Sequence, residues 1–150
     1  MVKVLAFNHF SATVADMDRA LSFWHDVLGL ELLGRGVVEY EHLDRIVGLS
    51  DTTIEWAELK IPGGGIVELF RYLNPPGTPV TGKVNDPGRT HLCLEAEDID
   101  GLVARIHQAG HRTMHPEPVK IPRGDWQDFK SIYAVAPDDV VVELVERPRH

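Results

Sequence analysis

Asn8-His9-Phe10-Ser11-Ala12-Thr13-Val14-Ala15-Asp16-Met17-Asp18 decides the fold, because its plan occurs twice. Thr90-His91-Leu92-Cys93-Leu94-Glu95-Ala96-Glu97-Asp98-Ile99-Asp100 again has a His followed seven residues later by Asp-apolar-Asp. A helical pattern follows each copy: Leu21, Trp24, Val27 and Leu28 in the first, Ile99, Leu102, Val103 and Ile106 in the second. Asp16 or Asp18, and Asp98 or Asp100, can cap those helices. Gly29 and Gly110 suit the left-handed residue just past each helix.

The copies match again at their ends. Pro62-Gly63-Gly64-Gly65-Ile66-Val67-Glu68-Leu69 and Pro137-Asp138-Asp139-Val140-Val141-Val142-Glu143-Leu144 are each a turn followed by an apolar strand, with Glu six residues after Pro. Residues 54–61 and 130–136 are expected as the partner strands of two hairpins. The reading is strand, helix, three strands, twice over: an α+β chain of paired βαβββ modules. Module one covers about 1–74, a Pro- and Gly-punctuated linker about 75–88, and module two about 89–150, within a single domain. Residues 41–48 read as a short helix inserted between the second and third strands. They and residues 115–128 either border a pocket or are ordinary surface connections.

Composition narrows the function classes. The chain has 150 residues, 43% of them hydrophobic, so a real core can be buried. Its net charge of −8 argues against nucleic acid or an anionic membrane as partner. A single cysteine, Cys93, excludes an internal disulfide and fits a reducing cytoplasm. No apolar run approaches the roughly 18–20 residues that span a bilayer, and the start reads as a strand, not a secretory signal.

The repeat also places polar residues where apolar ones are expected. His9 and His91 fall on the first strand of each half, Glu68 and Glu143 on the last. Glu143 is flanked by branched aliphatics, and a buried lone carboxylate is costly unless paired or bound to a metal. If the halves pack about a pseudo-twofold axis, His9, Glu68, His91 and Glu143 converge on one divalent ion. Two imidazoles and two carboxylates suit Zn²⁺, Ni²⁺, Co²⁺, Mn²⁺ or Fe²⁺ and leave coordination positions open. A His-His-Glu site without Glu68 would also serve. His25, His42, His107, His111, His115 and His150 lack the support of the repeat. Cys93 shares a face with His91 and reads as a small packing residue.

These residues resemble the vicinal oxygen chelate superfamily, which includes glyoxalase I, methylmalonyl-CoA epimerase, extradiol dioxygenases, fosfomycin transferases and bleomycin-binding proteins. Asn8-His9-Phe10 with Asp16-Met17-Asp18-Arg19-Ala20 and Phe23-Trp24-His25-Asp26-Val27-Leu28-Gly29-Leu30-Glu31 looks like the family's opening strand and helix. Tyr133-Ala134-Val135-Ala136-Pro137-Asp138-Asp139 with Val142-Glu143-Leu144 looks like its closing hairpin, with a changed turn. The resemblance covers nearly the whole chain. It implies a cupped mixed sheet, a metal-bound small-molecule substrate and a homodimer whose modules pair within one chain or between two.

The four-ligand pattern is similar to that of the isomerases in the superfamily. It implies an isomerase, epimerase or glyoxalase-like lyase that takes a proton next to a carbonyl while the metal stabilises the enolate. The expected catalytic carboxylates are Glu143, Glu68 and, on the third strand, Glu55. Glu58 points to the opposite face from Glu55, so both cannot serve. Two other functions remain open: an Fe²⁺ dioxygenase using His9, His91 and Glu143, and a non-catalytic binding protein for a drug or natural product. The intact ligand set counts against the latter.

Overall fold

The structure, a computed structural model, describes residues 1–149; the terminal His150, to which the sequence assigned no role, lies outside the described residues. Residues Met1–His25 and Gly29–Pro79 make one compact unit, and Val80 onward, with Asp26–Leu28, makes the other.

The first unit runs β1 (His9–Thr13), α1 (Met17–Leu21, continued by wider turns through Ser22–Val27), β2 (Glu31–Val38), α2 (Glu41–Val47), β3 (Thr53–Lys60) and β4 (Ile66–Asn74). The Asp16 carboxylate accepts the Arg19 N–H at 3.0 Å and so opens α1. Gly29, at φ 76°, follows the helical turns in the left-handed conformation that a side chain resists. The sheet order is β1-β4-β3-β2; β1 is parallel to β4 and the other pairs are antiparallel. One face of this sheet is apolar. Ala57, Leu59, Val67 and Leu69 are fully buried there, as are Ala20, Phe23 and Trp24 of the helix, which lies against β4. Each large side chain removed from water in this way contributes about 1.5–3 kcal/mol.

The second unit runs β5 (His91–Glu95), α3 (Ile99–Gln108), β6 (Arg112–Thr113), β7 (Val119–Lys120), β8 (Lys130–Val135) and β9 (Val141–Glu146). Its order is β5-β9-β8-β6, with β7 also on β8, and β5 is parallel to β9. Asp98 caps α3 by accepting the Gly101 N–H at 3.1 Å. Ile99, Val103 and Ile106 of α3 and Ile132, Ala134, Val142 and Leu144 of the sheet are buried together. Where the repeat predicts one second strand, this unit has two dipeptide strands, β6 and β7. Pro116 and Pro118 lie between them and lack the N–H groups a ladder needs. The β8–β9 turn is made by Asp138 and Asp139, both with positive φ, where a glycine would be usual. Among the described residues no helix is long and apolar enough to cross a membrane.

Candidate functional site

Residues in register on adjacent strands point to the same side of a sheet. Ser11, Glu68, Glu58 and Gly34 therefore form one row across the first unit, and Thr13, Phe70, Trp56 and Gly36 the next. Both rows lie on the face away from the buried Val67 and Leu69. His9 is on this face too, two residues before Ser11, and its Nε2 stands 3.3 Å from Glu68 Oε2.

The surroundings of His9 constrain its protons. Its Nδ1 stands 2.8 Å from Asn8 Oδ1, so Nδ1 carries the proton and donates. In the neutral ring Nε2 is then a bare lone pair facing a carboxylate oxygen. Two acceptors at that distance repel unless a second proton or a cation lies between them. Donors bonded at about 2.1 Å to a small divalent ion stand about 3.0 Å apart at right angles and about 3.4 Å apart in a tetrahedron. The observed spacing matches such a ligand pair.

Glu58 lies directly across the strand pair from Glu68. Like charges so placed destabilise a sheet. Glu58 is half-buried and has neither a hydrogen bond nor an ion pair among the described residues. Glu68 has His9; Glu58 has an open carboxylate on the same face.

Glu55, the expected base on β3, is placed elsewhere. It is in register with Arg71 and Val37, on the face that carries Leu69 and α1, opposite to Glu68. Only 9% exposed, it accepts from Arg35 Nε and Nη2 at 2.9 and 2.6 Å on one oxygen and from Arg71 Nη1 at 3.3 Å on the other. Arg35 also pairs with Asp18 at the start of α1. Hydrogen bonding to Glu55, then to Asp18, raises the Arg35 pKa. A carboxylate clamped by two guanidinium groups joins helix to sheet. The carboxylate of β3 that faces His9 and Glu68 is Glu58.

The second unit repeats the pair. His91 Nε2 stands 3.2 Å from Glu143 Oε2, and the Glu143 side chain is 23% exposed. The row through Glu143 is Cys93, Glu143, Tyr133. Ser131 Oγ donates to Glu143 Oε1 at 2.9 Å, which leaves Oε2 to face His91. The Tyr133 ring packs on the His91 imidazole with centroids 5.0 Å apart. Cys93 is solvent-accessible, yet its thiol is pushed up to about 11, first by partial loss of water and then by the Glu143 carboxylate. At neutral pH such a thiol is protonated and a weak nucleophile. Loss of water, then Glu143, also raises the Tyr133 phenol.

Among the described residues no group of three or more His, Cys, Asp and Glu side chains is arranged to hold an ion; what stands together is the two His–Glu pairs. The other histidines have different surroundings. His25 Nδ1 meets the Leu30 carbonyl at 2.7 Å, His42 stacks on Tyr40, and His107 Nε2 meets Thr113 Oγ1 at 2.8 Å. His115 Nδ1 meets the Glu117 carbonyl. Of the two loops, residues 41–47 form α2, and the loop before β8 presents Trp126 half exposed, edge-on to Phe129. Ser131 was missed from sequence, since a strand serine gives no signal of its own.

Comparison with known proteins places this geometry. The chain is 27% identical over 148 residues to a 2-epi-5-epi-valiolone epimerase from an Actinomyces species, covering 96% of this chain and 80% of that one. A glyoxalase family protein from Bacillus cereus superposes with a TM-score of 0.84 at 29% identity, covering 97% of this chain and 95% of the other. The fold is shared by FosX, a fosfomycin resistance protein of Listeria monocytogenes solved with Mn(II) and sulfate, at a TM-score of 0.61 and 14% identity, covering 99% of this chain and 95% of that one. The glyoxalase/bleomycin resistance protein/dioxygenase family model matches residues 6–144, and the chain belongs to that superfamily.

Proposed function

We propose that this chain is a divalent-metal-dependent epimerase or isomerase that moves a proton at carbon next to a carbonyl. The observation that carries the reading is the open Glu58 carboxylate directly across from Glu68, on the face where His9 and Glu68 stand as a ligand pair. The epimerase relative supports the same class of reaction.

His9, Glu68, His91 and Glu143 would hold the ion, since one His–Glu pair offers too few donors for a tight site. A bound divalent ion supplies Lewis-acid polarisation of a substrate oxygen, which stabilises developing negative charge by several kcal/mol. Glu58 takes the proton from the carbon next to the carbonyl, becoming a carboxylic acid and leaving the substrate as an enolate. A proton from solvent then returns to that carbon, with Glu143, positioned by Ser131, as the second carboxyl group that would pass it on. Solvent restores both carboxyl groups. Asn8 holds the His9 ring in the tautomer whose Nε2 can bind a metal.

The working assembly is read as a homodimer, with the exposed apolar start Met1, Val2, Val4, Leu5 and Phe7 as supporting surface; sedimentation at micromolar concentration checks it. The functional test uses protein loaded in turn with Mn²⁺, Co²⁺, Ni²⁺, Zn²⁺ and Fe²⁺. Deuterium uptake from heavy water is followed by NMR on 2-epi-5-epi-valiolone, on open-chain hydroxy-ketones and on a 2-methyl acyl-CoA ester. Metal-dependent exchange on one of them is the expected result. No exchange on the panel, together with oxygen consumption on a catechol by the iron form, would replace the isomerase with a dioxygenase.

A further inference from the structure

Trp56 occupies an unusual seat. It is in register with Gly36, and its row neighbours that of Glu58 and Glu68. A Cβ added at Gly34 would stand 3.1 Å from Trp56 Cη2, and one at Gly36 would stand 3.1 Å from Nε1. Both rings of the indole thus lie along the bare backbone of β2. Glycine inside a strand weakens it and commonly marks a close approach by another group. Here two glycines, both on the site face, clear a bed for one aromatic side chain.

The indole is only half-buried, and no other ring is stacked on it among the described residues. Its N–H has no hydrogen-bond partner among them either, although a Trp N–H usually finds one when enclosed. Two residues along β3, its backbone roughly 7 Å from that of Trp56, Glu58 presents its open carboxylate on the same face. The face therefore offers a flat apolar surface, a donor at its edge and an acceptor beside it. A ring with C–H bonds on its flat face and hydroxyl groups on its rim uses all three. An open chain presents no such face, and a plain arene has no hydroxyl for Glu58.

We infer that Trp56 is the platform on which the six-membered ring of a cyclic polyhydroxy ketone rests, with a rim hydroxyl on the indole N–H, so that this side chain selects ring substrates. The inference rests on the proton-transfer reading above and deepens it. Its test is made on metal-loaded protein with Trp56→Leu and Trp56→Phe, each checked for unchanged metal stoichiometry and cooperative melting. In wild type, kcat/KM for exchange on a cyclic polyhydroxy ketone is compared with that on dihydroxyacetone. Trp56→Leu lowers the ring-to-open-chain ratio at least tenfold, chiefly through KM, and Trp56→Phe recovers part of it. An unchanged ratio, or a loss confined to kcat, overturns the assignment. A second measurement does not depend on turnover: titration with myo-inositol, a cyclic polyol that has no carbonyl, read on the Trp56 indole N–H resonance identified by its absence in Trp56→Phe. A saturable shift in a protein that exchanges no ketone proton keeps the platform and rejects the isomerase. No shift at millimolar polyol, together with an unchanged ratio, rejects the platform alone.

Discussion

The two units carry the same pair and surround it differently. His9 and Glu68 stand 3.3 Å apart, His91 and Glu143 3.2 Å, each pair on a parallel strand couple, β1 with β4 and β5 with β9. The flanking row is Ser11, Glu68, Glu58 in one unit and Cys93, Glu143, Tyr133 in the other. What the repeat keeps is the donor pair; what it varies is the neighbour across the strand. In the first unit that neighbour is the Glu58 carboxylate, and in the second it is the Tyr133 phenol, which loss of water and then Glu143 hold above its usual range. In the proposed reaction the first unit would carry the base. The second supports its pair through Ser131 on Glu143 and Tyr133 against His91, the first through Asn8 on His9.

The largest expected effect tests the sameness of the pairs. His9→Ala and His91→Ala should each abolish stoichiometric metal binding, measured by metal analysis after gel filtration. Retention of a full equivalent by both variants would show that the pairs do not act as ligands.

A smaller effect sharpens the difference. Ser131→Ala removes a donor from Glu143 that Glu68 lacks, and loss of such an outer partner typically weakens metal binding about tenfold or more. Competition with a fluorescent chelator reads it; equal affinity would make Ser131 a bystander.

How far these residues were legible in sequence follows from strand geometry. His9, Glu68, His91 and Glu143 could be found because the repeat placed each of them, whatever its type. Glu55 and Glu58 were recognisable as lying on opposite faces, since they are three positions apart on one strand. Which of them faces Glu68 depended on register. Lys60 pairs with Ile66 across a turn of five residues, Ile61 to Gly65, and that pairing sets Glu58 opposite Glu68. A turn one residue shorter or longer would have exchanged the two. Pro62 and three glycines announce a turn without stating its length. The broken strand of the second unit was visible only as Pro116 and Pro118, and the bed under Trp56 only as two glycines without a register.

The same argument makes Glu55 a test of structure without chemistry. Glu55→Gln keeps the shape but leaves Arg71 without its counter-charge and Arg35 with Asp18 alone. It should lower stability by about 1–3 kcal/mol in urea melts while sparing metal binding. A stability unchanged within error would mean that the clamp contributes nothing. Smaller still, Asp98→Ala removes the cap of α3 and should cost about 1 kcal/mol. The equivalent change at Asp16 in the first unit should match it, because both caps hold one N–H at 3.0–3.1 Å.

The measurement that bears most directly on the account is single-turnover deuterium exchange by Glu58→Gln in its metal-loaded form, beside Glu55→Gln and Tyr133→Phe. If the carboxylate across from Glu68 is the base, Glu58→Gln binds metal like the wild type and loses roughly a hundredfold or more in exchange rate, while Glu55→Gln keeps its rate. Exchange that survives in Glu58→Gln and disappears in Glu55→Gln would contradict the account, since it would put the chemistry on the opposite face of the sheet.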